Sequence, residues 1–429
     1  MARRRRLDQP ARLLLIATAF LVVGGLLMVY SASSVTDYVR YGDSAYHLRK
    51  QAVFAGVGLI ALVALSFWDF KGRRGHQPLA TPKRVAWFVW GVTLLALIAV
   101  EIAGVSGGGA TMSLKIGSLY VQPSEYAKLG CLLMVAVLLV ERDRGHMSTG
   151  TFLLWLGGVL GPVVTLIMLQ PDMGGAVSLL LGVAMLLWLG GIDGRWMALL
   201  AAGGLAIAAL LVAIAPYRME RITAFLHPWA DPTDTGYQLI QSLYALGSGG
   251  LFGVGLGLSK QKVFYLPLAH NDFIFAVIGE EFGFVGTLAV VAAFLLFTYA
   301  GIRIALECRD SFGRLLAGGL TAMIAMQALM NMAAVTGLMP ITGVTLPFVS
   351  SGGTSLTLTM ACVGLIIAVS RYGGTSKVRL VRGKTTRGLK EESIVRGSQD
   401  RANTAERRRN GGTHLSSLDG GGASSRRRA

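Results

Sequence analysis

The chain has 429 residues, of which 53% are hydrophobic and only 15% are charged, and its formal net charge is +17. So apolar a composition excludes an ordinary soluble enzyme and is typical of a protein with many membrane-spanning segments. The positive charge does not indicate nucleic-acid binding, because Lys and Arg are concentrated at both ends of the chain and between the apolar segments.

Ten apolar runs are long enough to cross a hydrocarbon core of about 30 Å. The first follows the basic segment MARRRR and is interpreted as a retained signal anchor rather than a cleaved leader. The runs lie near residues 11–31, 51–68, 85–104, 124–141, 150–169, 173–190, 196–215, 273–300, 315–336 and 354–371. The sequence therefore predicts an all-α integral membrane protein with ten transmembrane helices.

The connections between these predicted helices differ in charge. Lys and Arg are concentrated in both termini and in the connections after even-numbered helices, which places these parts in the cytoplasm by the positive-inside rule. The predicted domains are a basic cytoplasmic N-terminus (1–10), a ten-helix membrane domain (11–371) and a basic, disordered cytoplasmic tail (372–429). The connections after odd-numbered helices lie outside and contain nearly every motif. The longest, 216–272, is expected to be structured, with one or two interfacial helices.

Three carboxylates occur at the start of the eighth predicted helix, within residues 265–286. Asp272 precedes an apolar run, and Glu280 and Glu281 follow that run. Ionisable side chains in an apolar segment are costly to insert and commonly mark functional sites. The roles of the two glutamates stay open: they complete a site with Asp272, or one pairs with a buried cation while the other caps its helix.

Several cations are predicted on the same outer side, after the seventh helix, before the eighth and at the start of the fourth. They are Arg218, Arg221, Lys262 and, one turn from Glu125, Lys128. In one interpretation they are interfacial anchors and one intramembrane ion pair. In the other they form a cationic pocket for a phosphate-bearing, lipid-linked substrate, with Asp272 placed to move a proton. The pattern does not choose between the two.

Five separated segments resemble a known family. They read QPSEYAKL (122–129), QPDMGGA (170–176), RITAFLHPWADPTDTGYQLIQSLYALGSGGLFGVGLG (221–257), QKVFYLP followed by HNDFIFAVIGEEFGFVG, and GLMPITGVTLPFVSSGGTS (337–355). In this order they resemble the SEDS family of shape, elongation, division and sporulation proteins, over residues 10–371. Within the family, the chain is more similar to the division member FtsW than to the elongation member RodA.

The resemblance implies a ten-span peptidoglycan glycosyltransferase. Such an enzyme polymerises lipid II on the outer face of the bacterial cytoplasmic membrane during cell division, at the septum, and releases undecaprenyl diphosphate. It implies no organic cofactor and leaves open a divalent cation, Mg²⁺ or Mn²⁺. The implied partners are lipid II, a class B penicillin-binding protein that acts as transpeptidase, other divisome proteins and the membrane, with no nucleic acid.

The resemblance also implies the site residues. Asp272 matches the acidic residue on which the family depends, and is the expected general base that removes a proton from the acceptor sugar 4-hydroxyl. Cations are expected to stabilise the departing diphosphate. The expected substrate-binding residues lie in or beside the matching motifs: Gln122, Glu125, Lys128, Asp172, Arg218, Arg221, Lys262, His270, Glu280, Glu281, Ser350, Gly352 and Gly353.

The chain departs from the family pattern in several places. Residues Thr111, Met112 and Ser113 stand where the family commonly has Arg-Arg-Trp, and Leu268 stands where it has Glu. These changes bear on substrate affinity more than on reaction type, since Asp272 is retained.

Two other classes of function stay open. One is a lipid II flippase or transporter, which predicts polar residues at mid-membrane depth, and the other is a weakly active or noncatalytic scaffold paralogue of the division machinery.

Overall fold

The computed structural model describes residues 8–69, 82–107, 110–117, 119–214 and 216–372. Three basic regions that the sequence assigns to the cytoplasm lie wholly or mostly outside this description. They are the N-terminus up to residue 7, the connection at 70–81 and the tail from residue 373. The predictions for those regions therefore stay predictions.

Within the described residues, seven helices precede the long connection: α1 (Gln9–Tyr41), α2 (Tyr46–Leu65), α3 (Pro82–Ala103), α4 (Pro123–Asp143), α5 (Thr149–Leu169), α6 (Met173–Leu189) and α7 (Gly194–Ile214). The long connection folds into α8 (Pro216–Leu226), a 3₁₀ turn (Pro228–Ala230) and α9 (Tyr237–Ser248). The chain then continues as α10 (Ile274–Glu307), α11 (Ser311–Val335) and α12 (Gly353–Tyr372).

Each predicted span coincides with one of these helices. In the described part of the chain, eight helices are long and apolar enough to cross a membrane. The two other helices that match predicted spans are α6, which is apolar but has 17 residues, and α7, which has 21. The all-α membrane fold is therefore confirmed, while the number of ten spans stays a prediction.

The first helix runs ten residues past the predicted end of its apolar run. Its 33 residues measure about 50 Å, which exceeds a hydrocarbon core of roughly 30 Å. The helix ends at Gly42, whose backbone N–H donates to the Tyr38 carbonyl (2.9 Å) in a left-handed conformation. The polar end of α1 therefore extends beyond the lipid, and a tight turn brings α2 back beside it.

Burial separates central helices from peripheral ones. The apolar windows of α4 and α12 are each 89% buried, and that of α11 is 72% buried, whereas those of α2, α3 and α5 are 17–28% buried. The exposed side chains of the peripheral helices are apolar, as at Ile60 and Leu154. We conclude that α4, α11 and α12 form the centre of the bundle and that the peripheral helices face lipid.

Glycines allow α2 and α12 to pack closely in parallel. A Cβ at Gly58 would lie 2.6 Å from the sulfur of Met360, and one at Gly364 would lie 2.5 Å from the carbonyl oxygen of Leu62. Small residues let helix backbones approach each other within a membrane. The first turns of the two helices are therefore held side by side.

A small antiparallel sheet joins α3 to α4, and the sequence did not predict it. Its strands are β1 (Val105–Gly107), β2 (Ala110–Ile116) and β3 (Leu119–Val121), with β2 between the other two. The register pairs Leu114 with Val121. The segment that departs from the family pattern, 111–113, therefore lies on the central strand.

The helix that follows Asp272 is broken at Gly283. This residue has φ 67° and ψ −161°, a conformation essentially restricted to glycine. A Cβ there would lie 2.4 Å from the backbone nitrogen of Gly253. The broken backbone is satisfied by the preceding loop, since Val254 N–H donates to the Glu280 carbonyl and Phe284 N–H donates to the Gly250 carbonyl, both at 2.9 Å.

Candidate active site

A cavity of about 390 Å³ lies where α2, α4, α6 and α12 begin. The N-terminal parts of these four helices supply about half of its lining residues, and the sheet and loops supply the rest. The lining residues with polar or glycine character include His47, Lys50 and Gln51 of α2, Ser113 and Tyr120 of the sheet, Gln122, Glu125, Lys128, Asp172, Gly175, Asn271, Gly343, Thr345, Gly352 and Gly353. Helix N-termini carry partial positive charge, so four such ends around one cavity favour a bound anion.

Lys128 and Glu125 form a buried ion pair in the wall of this cavity. Lys128 is 1% exposed, and its Nζ donates to Glu125 Oε1 (2.7 Å) and to Gln327 Oε1 (3.0 Å). Glu125 Oε2 is buried and has no hydrogen-bond partner among the described residues. An unsatisfied buried carboxylate oxygen is costly, so a donor group on a bound ligand would complete it.

Asp172 ties the first turns of α4 and α6 together. Its Oδ1 accepts from the backbone N–H of Gly175 (2.7 Å), which caps α6. Its Oδ2 accepts from Ser124 Oγ (2.8 Å) and from Gln122 Nε2 (3.0 Å). The predicted residues Gln122, Glu125, Lys128 and Asp172 are therefore brought together, as one hydrogen-bonded wall.

The turn before α12 forms another side of the cavity. A Cβ at Gly353 would lie 2.1 Å from the ring of Phe54, so only glycine fits against α2 here. Ser350 supports the turn: its Oγ accepts from Leu346 N–H (2.8 Å), and its carbonyl accepts from Gln51 Nε2 (2.9 Å). Gly352 and Gly353 line the cavity, whereas Ser350 shapes it from behind.

Asp272 lies just before α10, at the edge of this cavity. The site that a Cβ at Gly343 would occupy is 3.7 Å from Asp272 Oδ2, and Gly343 lines the cavity. The side-chain amide of Asn331 donates to the Asp272 carbonyl (2.8 Å) and to the Val344 carbonyl (2.7 Å), which fixes the two segments together. Burial raises the pKa of Asp272 to about 6, an effect that Arg221 opposes and Asp172 reinforces.

A second cavity, of about 460 Å³, lies beside α8 and α9. Exposed Arg221 lines it and donates from Nη1 to the Ile341 carbonyl (3.3 Å). Ile341 lines the second cavity and Gly343, two residues later, lines the first. Asp272 therefore interacts electrostatically with one charged group of each cavity, Arg221 of the second and Asp172 of the first. Arg218 also lies in α8, but its side chain falls outside the described part of the chain.

Three predicted residues lie in a separate buried cluster that lines neither of these cavities. Lys262 Nζ donates to Glu281 Oε1 (2.6 Å) and to Ser31 Oγ (3.0 Å), and Ser31 Oγ donates to Glu281. Glu280 accepts from the Ser259 hydroxyl and from the backbone N–H of Lys260 (2.8 Å). Glu281 thus pairs with a buried cation, while Glu280 anchors the preceding loop rather than capping its own helix.

His270, also predicted, packs against a histidine that the sequence analysis did not select. Its ring centroid lies 4.5 Å from that of His47, and its carbonyl accepts from Ser351 N–H (2.9 Å). Burial lowers the pKa of His270 to about 4, and His47 contributes in the same direction. His47 in turn lies 2.5 Å, Nδ1 to Oδ1, from buried Asp37.

No group of three or more His, Cys, Asp or Glu side chains placed to hold a metal ion occurs in the ranges that the structure describes. The expected divalent cation therefore stays a prediction, and no step below depends on it. The three cysteines are buried and form no disulfide with one another, as expected of small core residues.

Comparison with known proteins is consistent with this architecture. Residues 11–374 match the FtsW/RodA/SpoVE family model, described as cell cycle protein. Stage V sporulation protein E of Bacillus subtilis is 39% identical over 363 residues, covering 85% of this chain and 97% of that protein. The probable peptidoglycan glycosyltransferase FtsW of Geobacter sp. is 38% identical over 377 residues, covering 85% and 98% of the two chains.

Solved structures give the same result. One match is a chain of a peptidoglycan synthase complex, from a structure described as "Structural coordination of polymerization and crosslinking by a peptidoglycan synthase complex". The TM-score is 0.69 and the identity is 31%, and the match covers 86% of this chain and 98% of that chain. The rod shape determining protein RodA of Thermus thermophilus matches with a TM-score of 0.62 and 29% identity, covering 87% and 99%.

Proposed function

Because the chain belongs to the FtsW/RodA/SpoVE family of cell cycle proteins, the SEDS family, we propose that it is a peptidoglycan glycosyltransferase of the bacterial membrane. Relatives at 38–39% identity over most of the chain carry that activity in their names. Its substrate is lipid II, which it polymerises into glycan strands on the outer face during cell division, with release of undecaprenyl diphosphate.

One observation carries the mechanism: Asp272 is a carboxyl group with a raised pKa, and it follows Asn271, which lines the first cavity. A general base works best when its pKa lies near the working pH, and a pKa of about 6 meets that condition. Asp272 takes the proton of the acceptor sugar 4-hydroxyl as that oxygen attacks the anomeric carbon of the donor. The bond from that carbon to the diphosphate then breaks.

The first cavity is the candidate site for the diphosphate of the donor. Lys50 and Lys128 line it together with the carboxylates of Glu125 and Asp172, and Lys128 pairs with Glu125. The cavity also lies at the N-terminal ends of four helices, where the backbone carries partial positive charge. Fixed cations and backbone dipoles stabilise charge as it develops on a leaving group. Lys50 supplies a cation opposite the sheet, where residues 111–113 lack the two arginines common in the family.

The second cavity suits the acceptor. Its lining includes Arg221, Asp234, Tyr237 and Gln238, which offer hydrogen-bonding groups for sugar hydroxyls or a peptide. Pro267 lines the second cavity and Asn271 the first, so the segment that ends at Asp272 reaches both, and a base on it would act where acceptor and donor meet. In this assignment Lys262, Glu280 and Glu281 hold the loop before α10 in place and do not contact substrate.

The further expected partners follow from the same family membership. A class B penicillin-binding protein would cross-link the strands, and a structural relative is described as part of a complex that coordinates polymerization and crosslinking. The multi-pass arrangement, with cytoplasmic termini and the cavities outside, fits the charge distribution of the connections. Action at the septum with other divisome proteins completes the proposal.

The alternatives are less well supported. A flippase predicts a polar path through the membrane, whereas the polar lining of the first cavity gathers where helices α2, α4, α6 and α12 begin. A noncatalytic scaffold does not need a carboxyl group held partly buried at the edge of a cavity, since desolvation of such a group costs stability. The enzyme is therefore favoured.

The test is polymerisation of fluorescent lipid II by the purified full-length chain, with and without its transpeptidase partner, read as glycan strands on a gel. We expect strands from the wild type and none from Asp272→Asn. Asp193→Asn is the matched control, because Asp193 is exposed and its ion pair among the described residues is with Arg195. Asp193 lies just before α7, at the end of the bundle opposite the first cavity. Equal polymer from Asp272→Asn and wild type would refute the assigned base, and scrambling of lipid II in liposomes without polymer would favour the flippase.

A further inference from the structure

A second proton-handling pair lies in the wall of the first cavity, where α1 meets α2. Asp37 is 1% exposed, and both of its oxygens are engaged. Its Oδ1 lies 2.5 Å from His47 Nδ1, while its Oδ2 accepts from His47 backbone N–H (3.0 Å) and from Ser33 Oγ (2.8 Å). These contacts fix both the position and the orientation of the imidazole.

The pair leaves one ring nitrogen for a ligand. A carboxylate at Nδ1 keeps a proton on that nitrogen, so that Nε2 is the atom that gains or loses a proton toward the opposite side. His47 lines the cavity and its side chain is 24% exposed. Lys50 and Gln51, one turn further along α2, line the cavity beside it. The face of α2 that carries His47 is therefore the face that meets a bound diphosphate.

The surroundings of His47 contain one more histidine, which is neutral. Burial and His47 itself lower the pKa of His270 to about 4, so His270 does not compete for a proton at neutral pH. Asp37 is the carboxylate in direct contact with the imidazole. The other titratable or charged groups on the elements around His47 and across the cavity are Tyr38, Arg40, Tyr41, Asp43, Tyr46, Arg49, Lys50, Tyr120, Glu125, Lys128, Asp172 and Asp272.

We propose that His47, positioned by Asp37, is the general acid of the glycosyl transfer and protonates the departing diphosphate from Nε2. The proposal rests on the proposed function and assigns the leaving-group half of that reaction. Asp272 gains the proton of the acceptor hydroxyl while the new carbon–oxygen bond forms. The electron pair of the broken bond goes to the diphosphate oxygen, which takes the proton of His47. Water then removes the proton from Asp272 and returns one to His47, so no other reactant is needed.

The proposed use of one residue as general base and another as general acid resembles the acid and base pairs of other enzymes. A buried aspartate at Nδ1 stabilises the imidazolium and holds its tautomer without itself being protonated. The base and the acid then lie on different segments, Asp272 before α10 and His47 on α2, with the cavity between α2 and the Asp272 segment. Removal of a general acid typically lowers the rate by about 10²-fold to 10⁴-fold.

The experiment measures kcat and KM for lipid II polymerisation between pH 5 and 9, for the wild type, His47→Gln and Asp37→Asn. We expect His47→Gln to lower kcat by about 100-fold with little change in KM. We also expect the loss of activity at low pH set by Asp272 to remain in this variant. Asp37→Asn is expected to lower kcat in the same direction.

His146→Gln is the matched control, because His146 also pairs with a carboxylate, Glu141 (2.9 Å), but is exposed and far from the cavity in the fold. Its kinetics should equal those of the wild type. Lipid II binding by His47→Gln, measured without turnover, shows that this variant is folded. The kinetics of His47→Gln therefore test the role of His47 even if Asp37→Asn does not fold.

Two results would overturn the assignment of His47: an unchanged kcat in His47→Gln, or a loss of lipid II binding that accounts for the whole fall in activity. Either result leaves the proposed glycosyltransferase intact. If the folded wild type makes no polymer at any pH, the proposed function fails and the role of His47 fails with it.

Discussion

Asp272 combines two properties that oppose each other, a need to be charged for catalysis and an environment that penalises the charge. Burial raises its pKa to about 6, whereas an unfolded aspartate titrates near 4. Between these values the folded state binds more protons than the unfolded state, so the free energy of unfolding falls as pH rises through this window. The carboxylate needed by the reaction is therefore held at a cost in stability.

We accordingly expect activity and stability to respond in opposite directions to Asp272→Asn. The amide carries no charge to desolvate, so its thermal midpoint at pH 7.5 should equal or exceed that of the wild type, and the difference should shrink below pH 4. Polymerisation should be absent from the variant. In the wild type, kcat/KM should fall as pH drops below about 6. A variant that melts well below the wild type at pH 7.5 would show a structural role instead.

The buried pair of Lys128 and Glu125 gives a prediction of a different kind. Lys128→Met would leave Glu125 buried without its cation, which typically costs about 3–5 kcal/mol. Lys128→Met combined with Glu125→Gln should recover much of that stability, because no isolated charge is left. Polymerisation should stay low in the double variant, since the cation beside the diphosphate is gone. Thermal melting and the lipid II assay measure both quantities, and full activity in the double variant would contradict the role of Lys128.

The sequence located part of this site and missed another part for identifiable reasons. Asp272 and Lys128 stand out as charges in apolar runs, and both lie at the first cavity. Lys262 stands out equally, but its partner Glu281 lies 19 residues away and is met only through the folded loop. Asp37 and His47 lie beyond the first apolar run, and their pairing depends on the turn at Gly42 that no hydropathy pattern reveals.

At the scale of elements, the break at Gly283 shows that the length of an apolar run predicts a membrane-spanning segment but not a break within its helix. Membrane-spanning segments follow from runs of apolar residues, and each predicted run proved to be helical. The break is invisible in that signal because Phe282 and Phe284 continue the apolar run on both sides. The sheet between α3 and α4 was missed because two of its strands have only three residues each and all three strands pair within one local sheet.

The break also makes a testable prediction. Gly283→Ala should destabilise the protein by about 1–3 kcal/mol from backbone strain alone, and further because the Cβ would meet Gly253. Gly157→Ala in α5 is the control: a Cβ there meets nothing within 4 Å, so alanine should leave stability unchanged or raise it by up to about 1 kcal/mol. Thermal melting in detergent compares the two. Equal melting of both variants would mean that the loop before α10 does not depend on the break.

At the scale of the whole molecule, the arrangement of α4, α11 and α12 inside a ring of lipid-facing helices leaves sidedness as the main open prediction. Lys115 on β2 and Arg144 after α4 are both exposed and lie at opposite ends of α4. A membrane-impermeant maleimide should label Lys115→Cys in intact cells and Arg144→Cys only after permeabilisation. The native cysteines are buried and should contribute little background. The reverse pattern would invert the proposed orientation and place both cavities inside the cell.

The convergence of four helix starts on one cavity has a consequence for the timing of synthesis. The wall of the cavity is made from residues near positions 47, 125, 172 and 353. The last of these four parts of the wall is therefore synthesised only after more than 300 residues have been inserted. Until α12 packs against α2, Gly353 and its neighbours are missing and the cavity has no closed side. A nascent or truncated chain is therefore unable to hold the substrate, and competence arises in a single late step of membrane assembly.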